Sequence, residues 1–301
     1  MIKDSKLDTF AGHRDSVYAL APSKYSNRFY SAGADGLVVE WDLDKPDLGH
    51  LVARVGASVY ALDYDTANEN LLIGQNFEGI HVVHPENKER LGSVKVTSAA
   101  IFDILIVGND AYLAFGDGVI GVLDIEKMVV KKHVKLAEKS IRSLALSRDG
   151  KHLAAGLSDH TIRILDRETM KPLYYLAGHA NSVFTTVYSP DGNFLFTAGR
   201  DARFKVWDVR KDYSLVEDVV GHMYAINHIA FHPEGHLFAT CSMDKSVKLW
   251  DAKSFKLLKV IDRSRHAGHG TSVNKLYWTP YENLLVSASD DRMLSIWEIK
   301  E

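Results

Sequence analysis

The stretch that decides the fold runs from Gly178 to Asp208, GHANSVFTTVYSPDGNFLFTAGRDARFKVWD. It carries four landmarks: the pair Gly178-His179, a hydroxyl at Thr197, an acid at Asp201 and the pair Trp207-Asp208. The same set recurs at His13, Ser31, Asp35 and Trp41, at His222, Thr240, Asp244 and Trp250, and at His269, Ser287, Asp291 and Trp297. In each copy the acid lies six residues before the Trp and the hydroxyl four before the acid. Self-similarity at a fixed period marks a chain built by repeating one supersecondary unit.

Three thinner copies fill the gap between Trp41 and Trp207. GQNFEGIHVVH sets Glu78 six before His84, FGDGVIGVLD sets Asp117 before Leu123, and GLSDHTIRILD sets Asp159 before Leu165. At these places Gly74, Leu113 and Ala155 stand where the hydroxyl is expected. The anchors 41, 84, 123, 165, 207, 250 and 297 are 43, 39, 42, 42, 43 and 47 residues apart. Seven units account for the 301 residues, so a single domain over 1–301 is expected. Short alternating runs such as FLFTAG, RFKVWD and SVKLWD, bounded by SPDG and HPEG turn signals, read as strands. No long stretch has a helical period.

The complete copies resemble the WD-repeat (WD40) family, and the resemblance extends over the whole chain. It implies an all-β seven-bladed β-propeller of four-stranded antiparallel blades around a central channel. It also implies that an N-terminal strand, about 3–10, pairs with Leu294–Ile299 and closes the last blade. That closure would hide two sheet edges open to stray pairing. By the same resemblance, the His, Ser or Thr, Asp and Trp of each complete copy form a buried hydrogen-bonded tetrad. The chemistry is self-consistent, because a buried indole N–H and a buried carboxylate both need partners. A His-Asp-Ser set also resembles a hydrolase triad. Four copies beside a Trp at fixed spacing argue for structure instead, and no catalytic residue is assigned.

The family binds partners at the channel mouth. The aliphatic markers of the innermost strands are Val17, Val59, Ile101, Ile141, Val183, Ile226 and Val273. The residues after them, Tyr18, Tyr60, Phe102, Arg142, Phe184, Asn227 and Asn274, are expected to face that entrance. Aromatic and Arg side chains dominate binding hot spots, so this ring is the candidate partner surface. A second ring is expected just before each turn acid: Ala34, Phe77, Gly116, Ser158, Arg200, Met243 and Asp290. Phe77 and Arg200 are its candidate contacts. Aromatic faces suit a basic group by cation–π contact. The two arginines suit an acidic one.

The chemistry of the remaining chain points the same way. Lys+Arg 36 against Asp+Glu 39 gives −3, unlike the strongly basic domains that bind nucleic acid. One cysteine, Cys241, excludes an intrachain disulfide and a Cys-built zinc site; it reads as a small buried hydrophobe. No metal or cofactor is expected. His266 lacks co-ligands, and His81 and His84 point to opposite faces of a strand. The basic run KMVVKKHVKL, Lys127 to Leu136, reads as an exposed outer strand. No apolar run is long enough to span a membrane. The N-terminal MIKDSKLDTF lacks a signal-peptide core, which leads to an expected cytoplasmic location. The expected function is a stand-alone, non-enzymatic scaffold or adaptor for a protein or peptide. The alternative is a propeller enzyme, or a small-ligand or metal binder, using the channel, with Asp103 as its one candidate.

Overall fold

A computed structural model describes residues 2–300, so the outermost positions of the expected 1–301 domain lie outside the described residues. Among the described residues, twenty-eight strands form seven four-stranded antiparallel sheets. The first blade comprises Val17–Pro22, Arg28–Gly33, Leu37–Asp42 and Lys45–Arg54, from channel to rim. Five blades follow in the same order, and the seventh is completed out of sequence. Its outermost strand is the N-terminal Lys3–Ala11, paired with Met293–Lys300 in a register that sets Phe10 opposite Leu294.

The burial pattern explains why hydrophobic alternation is clear only at the periphery. Second strands such as Phe194–Gly199 and Leu237–Ser242 are buried almost throughout, because both faces pack on neighbouring blades. The outermost Val129–Lys135 alternates strictly between exposed and half-buried residues. The core is therefore divided among blade interfaces. Seven apolar clusters each join one blade to the next; one joins Phe10, Leu294 and Ile296 of the last blade to Val17, Phe29 and Trp41 of the first. No blade has a core of its own, which is the physical reason a repeat array must be long and closed.

The second repeat sits one residue away from its expected register. Val59 pairs with Gln75 and Leu71 with Val83, as Val17 pairs with Gly33 and Phe29 with Trp41. The Trp position is thus Val83 rather than His84, the hydroxyl position Ile73 rather than Gly74, and the acid position Phe77 rather than Glu78. Glu78 offers an acid one residue past the structural position, which gives the sequence its apparent register. Ile73 and Val83, Leu113 and Leu123, and Ala155 and Leu165 are all buried. The three thinned blades replace hydroxyl and indole together with apolar side chains, so neither is left unpaired.

Candidate functional site at the channel mouth

The rim is built by a repeated backbone irregularity. Each innermost strand pairs normally at its aliphatic marker and then slips by one residue, between Val17 and Ala19, Val59 and Ala61, Ile101 and Asp103, Ile141 and Ser143, Val183 and Thr185, Ile226 and His228, and Val273 and Lys275. A β-bulge re-aims the side chain it carries. The bulged residues are Tyr18, Tyr60, Phe102, Arg142, Phe184, Asn227 and Asn274, and all seven line one cavity of about 450 Å³.

Their roles differ. Tyr18 and Tyr60 stack at 5.1 Å between ring centroids, and Tyr60 packs on Phe102 at 5.5 Å. The Arg142 guanidinium lies 3.8 Å from the Phe102 centroid and 5.1 Å from that of Phe184. Arg142 itself thus occupies the cation–π seat between those aromatics. The asparagines tie blades together. Asn227 Nδ2 donates to Val273 O at 2.8 Å, and Asn274 Nδ2 donates to Val17 O at 3.0 Å and Asp290 Oδ1 at 2.7 Å.

The second ring is fixed by seven equivalent backbone bonds. The amides of Ala34, Asn76, Gly116, Ser158, Arg200, Met243 and Asp290 donate to the carbonyls of Ser16, Ser58, Ala100, Ser140, Ser182, Ala225 and Ser272. In the second blade the ring position is therefore Asn76, and Phe77 moves one place on, to the turn-acid position. There Phe77 has φ 70° and is 61% exposed. Around the same mouth Met223, Tyr224 and Met243 of the sixth blade are exposed by 81%, 62% and 52%. Arg200 is also exposed, and its side chain makes no hydrogen bond or ion pair among the described residues.

Deeper in the channel lie further ionisable groups, of which Asp103 alone is a candidate from sequence. The residue after each bulge also lines the cavity in five blades, as Asp103, Ser143, Thr185, His228 and Lys275. Reading that register around the ring, rather than Asp103 alone, would have found His228 and Lys275. Asp103 accepts from Ile104 N at 3.1 Å and Leu144 N at 2.7 Å. Asp63 accepts from Tyr64 N at 2.9 Å and Ile106 N at 3.0 Å. Each carboxylate ties its strand to the next blade. Burial raises the pKa of both, to about 7 for Asp63, while Lys275 pulls the other way. Burial, followed by Lys275, drives the His228 imidazole well below its ordinary value, and its Nδ1 has no hydrogen-bond partner.

The four tetrads close. Trp207 Nε1 donates to Thr197 Oγ1 at 2.9 Å, His179 Nε2 lies 2.8 Å from that hydroxyl, and His179 Nδ1 lies 2.9 Å from Asp201 Oδ2. The first, sixth and seventh blades repeat this with His13, Ser31, Asp35 and Trp41, with His222, Thr240, Asp244 and Trp250, and with His269, Ser287, Asp291 and Trp297. Indole can only donate and carboxylate only accept. With a neutral imidazole, the hydroxyl donates to Nε2 and Nδ1–H donates to the acid. These imidazoles are buried within blades, away from the channel cavity.

Elsewhere, His232, Glu234 and His236 place three potential ligand atoms within 4.8 Å of one another, a cluster the sequence reading did not single out. His232 Nδ1 already accepts the Glu234 amide at 3.1 Å. A neutral ring then carries its proton on Nε2 and has no lone pair left for a metal. The lysines of the basic outer strand are engaged: Lys131 with Asp110 at 2.7 Å, Lys132 with the Glu168 carbonyl and Lys135 with the Asp117 carbonyl. Asp262 caps a helical turn, Arg263–His266, inside the long last insertion, where His266 Nε2 lies 3.5 Å from Asp4. Cys241 is fully buried.

Comparison with known proteins follows the sequence repeat, which runs from the outermost strand of one blade through the three inner strands of the next. The repeat described as "WD domain, G-beta repeat" matches residues 4–42, 127–166, 170–208, 214–251 and 259–298, and the unmatched 43–126 hold the second blade and the three inner strands of the third. "Periodic tryptophan protein 2 homolog" of Mus musculus is 25% identical over 226 residues, covering 68% of this chain and 24% of that protein. "Nuclear distribution protein nudF" of Emericella nidulans is 24% identical over 236 residues, covering 69% and 53%. "Ribosome biogenesis protein YTM1" of Scheffersomyces stipitis is 25% identical over 221 residues, covering 69% and 45%. The chain spans between about a quarter and about half the length of these curated relatives. Five matched repeats cover more than half of the chain, on blades whose register and hydrogen bonding repeat as the sequence does, and the chain belongs to the WD40-repeat family.

Proposed function

We propose that this propeller is a non-enzymatic interaction module whose protein partner docks across the channel mouth. The observation that carries the reading is the seven-fold bulge, which turns one side chain per blade into a common cavity. Exposed Phe77, Met223, Tyr224 and Met243 around it favour a macromolecule over a small ligand, because a cluster of exposed large apolar groups marks an interaction surface. The relatives named above carry unrelated descriptions, and what they share with this chain is the repeat. A scaffold role fits that distribution, since fold alone does not fix function. A structural role for Asp103 supports this reading over the enzyme alternative: one oxygen accepts the amide of its neighbour Ile104 and the other that of Leu144 on the next blade.

Affinity capture from lysate tests the reading. Replacing Tyr18, Tyr60, Phe102 and Phe184 by alanine should abolish partner recovery. Phe77→Ala with Met223→Ala, both exposed, should weaken it with an unchanged thermal transition. Full recovery with both variants, each folded by circular dichroism, overturns the assignment.

A further inference from the structure

Two cations, Arg142 and Lys275, line the channel-mouth cavity, and neither makes a hydrogen bond or ion pair among the described residues. Lys275 lies in the field of Asp63 and Asp103 and lowers the pKa of both, so it faces acidic groups without a direct ion pair to either. Three acids of the surrounding turns are engaged, Asp290 by Asn274 Nδ2 at 2.7 Å, Glu78 by Gln75 Nε2 at 2.6 Å and Asp159 by Arg163 at 3.1 Å, whereas Asp117 Oδ1 is buried with no hydrogen-bond partner. Arg142 is different. Its guanidinium touches only the faces of Phe102 and Phe184, and its side chain makes no hydrogen bond or ion pair among the described residues. Burial lowers its pKa, and no carboxylate offsets that. The aromatic sandwich holds the planar group at the cavity wall with its N–H edge free to donate.

Resting on the channel-mouth reading above, we infer that Arg142 is the receptor for an oxyanion on a peptide side chain of the partner. That oxyanion is a carboxylate or a phosphate. A planar guanidinium donates two parallel N–H bonds to such a group, and a partly desolvated site strengthens them. Stacking fixes the fork before the ligand arrives, so less side-chain entropy is lost on binding. An incoming basic side chain would find its seat on Phe102 and Phe184 taken by Arg142 and would meet a like charge there. Arg200, exposed on the adjoining fifth blade, adds positive potential along the same approach.

NMR of the ¹⁵N-labelled protein tests this with capped glycine peptides carrying one central Glu, phosphoserine, Gln or Arg. The Arg142 Nε–H signal is assigned by its loss in Arg142→Lys. The Glu or phosphoserine peptide should shift that signal saturably and bind at least about tenfold tighter than the Gln peptide, as expected for hydrogen bonds to a charged group. The order of the two acidic peptides identifies the preferred source, and Arg142→Gln should remove the preference. Equal shifts with the Gln or Arg peptide overturn the inference. So does movement of Tyr60 and Phe102 signals without that of Arg142, an outcome that keeps the mouth as a peptide site. Silence at all three positions also overturns it, while capture by the alanine variants judges the mouth separately.

Discussion

At the residue scale, the tetrad is a set of donors and acceptors with no slack. Thr197 accepts from Trp207 and contacts His179, so Thr197→Val leaves two buried groups unpaired at once. Each orphan costs about 1–3 kcal/mol, so urea denaturation should show a loss of at least about 2 kcal/mol for Thr197→Val and little for Thr197→Ser. Protonation acts on the same groups. Burial holds His222 below its ordinary value despite Asp244. Burial pushes Asp244 up, but the His222 hydrogen bond and charge together with the Ser246 and Met223 hydrogen bonds outweigh it and leave the acid low. Both depressed values mean the unfolded chain takes up protons first. The imidazole contribution is present above about pH 6.5 and is lost below it, and the carboxylate contribution is lost below about pH 4. The urea midpoint should therefore fall from neutral pH to pH 5. Asp63 has the opposite sign, because its raised value near 7 makes its contribution disappear as pH rises through that point. That loss runs between about pH 4 and pH 7, so Asp63→Asn should steepen the fall of the midpoint between neutral pH and pH 5.

At the element scale, the inner strand and the closing strand carry the architecture. The bulges could be located from sequence only through the markers, because a bulge has no residue signature of its own and Tyr, Phe, Arg and Asn all occupy it here. The tetrad blades were legible because four polar groups must recur together at fixed spacing. The second blade was misregistered by one residue because its polar landmarks are gone, and apolar Ile73 and Val83 look like any other strand residues. Phe77 was accordingly placed in the wrong ring, although it does reach the correct face. The closing strand was legible from LDTFAGH, which ends on the Phe10 that packs on Phe29 at 6.1 Å and Trp41 at 5.5 Å. Phe10 is 1% exposed, so Phe10→Ala should cost about 3–5 kcal/mol by chemical denaturation and should promote association through the loosened edge.

At the scale of the whole molecule, length and period set the number of blades, and closure makes every blade depend on two neighbours through a shared apolar interface. Near-neutral charge conceals an uneven distribution, for Glu78, Asp159 and Asp290 are engaged whereas the Arg142 and Arg200 side chains make no hydrogen bond or ion pair among the described residues. That imbalance was invisible in composition because it depends on which side chains find partners after folding. The account's central claim is that the bulge-built mouth is the working face. Photo-crosslinking tests it most directly, with p-benzoylphenylalanine placed at Tyr60 on the mouth or at Tyr25 on the opposite face, between the first two strands of blade one. The account predicts a discrete crosslinked partner from the Tyr60 position and none from Tyr25. A partner crosslinked at Tyr25 and absent at Tyr60 would contradict it.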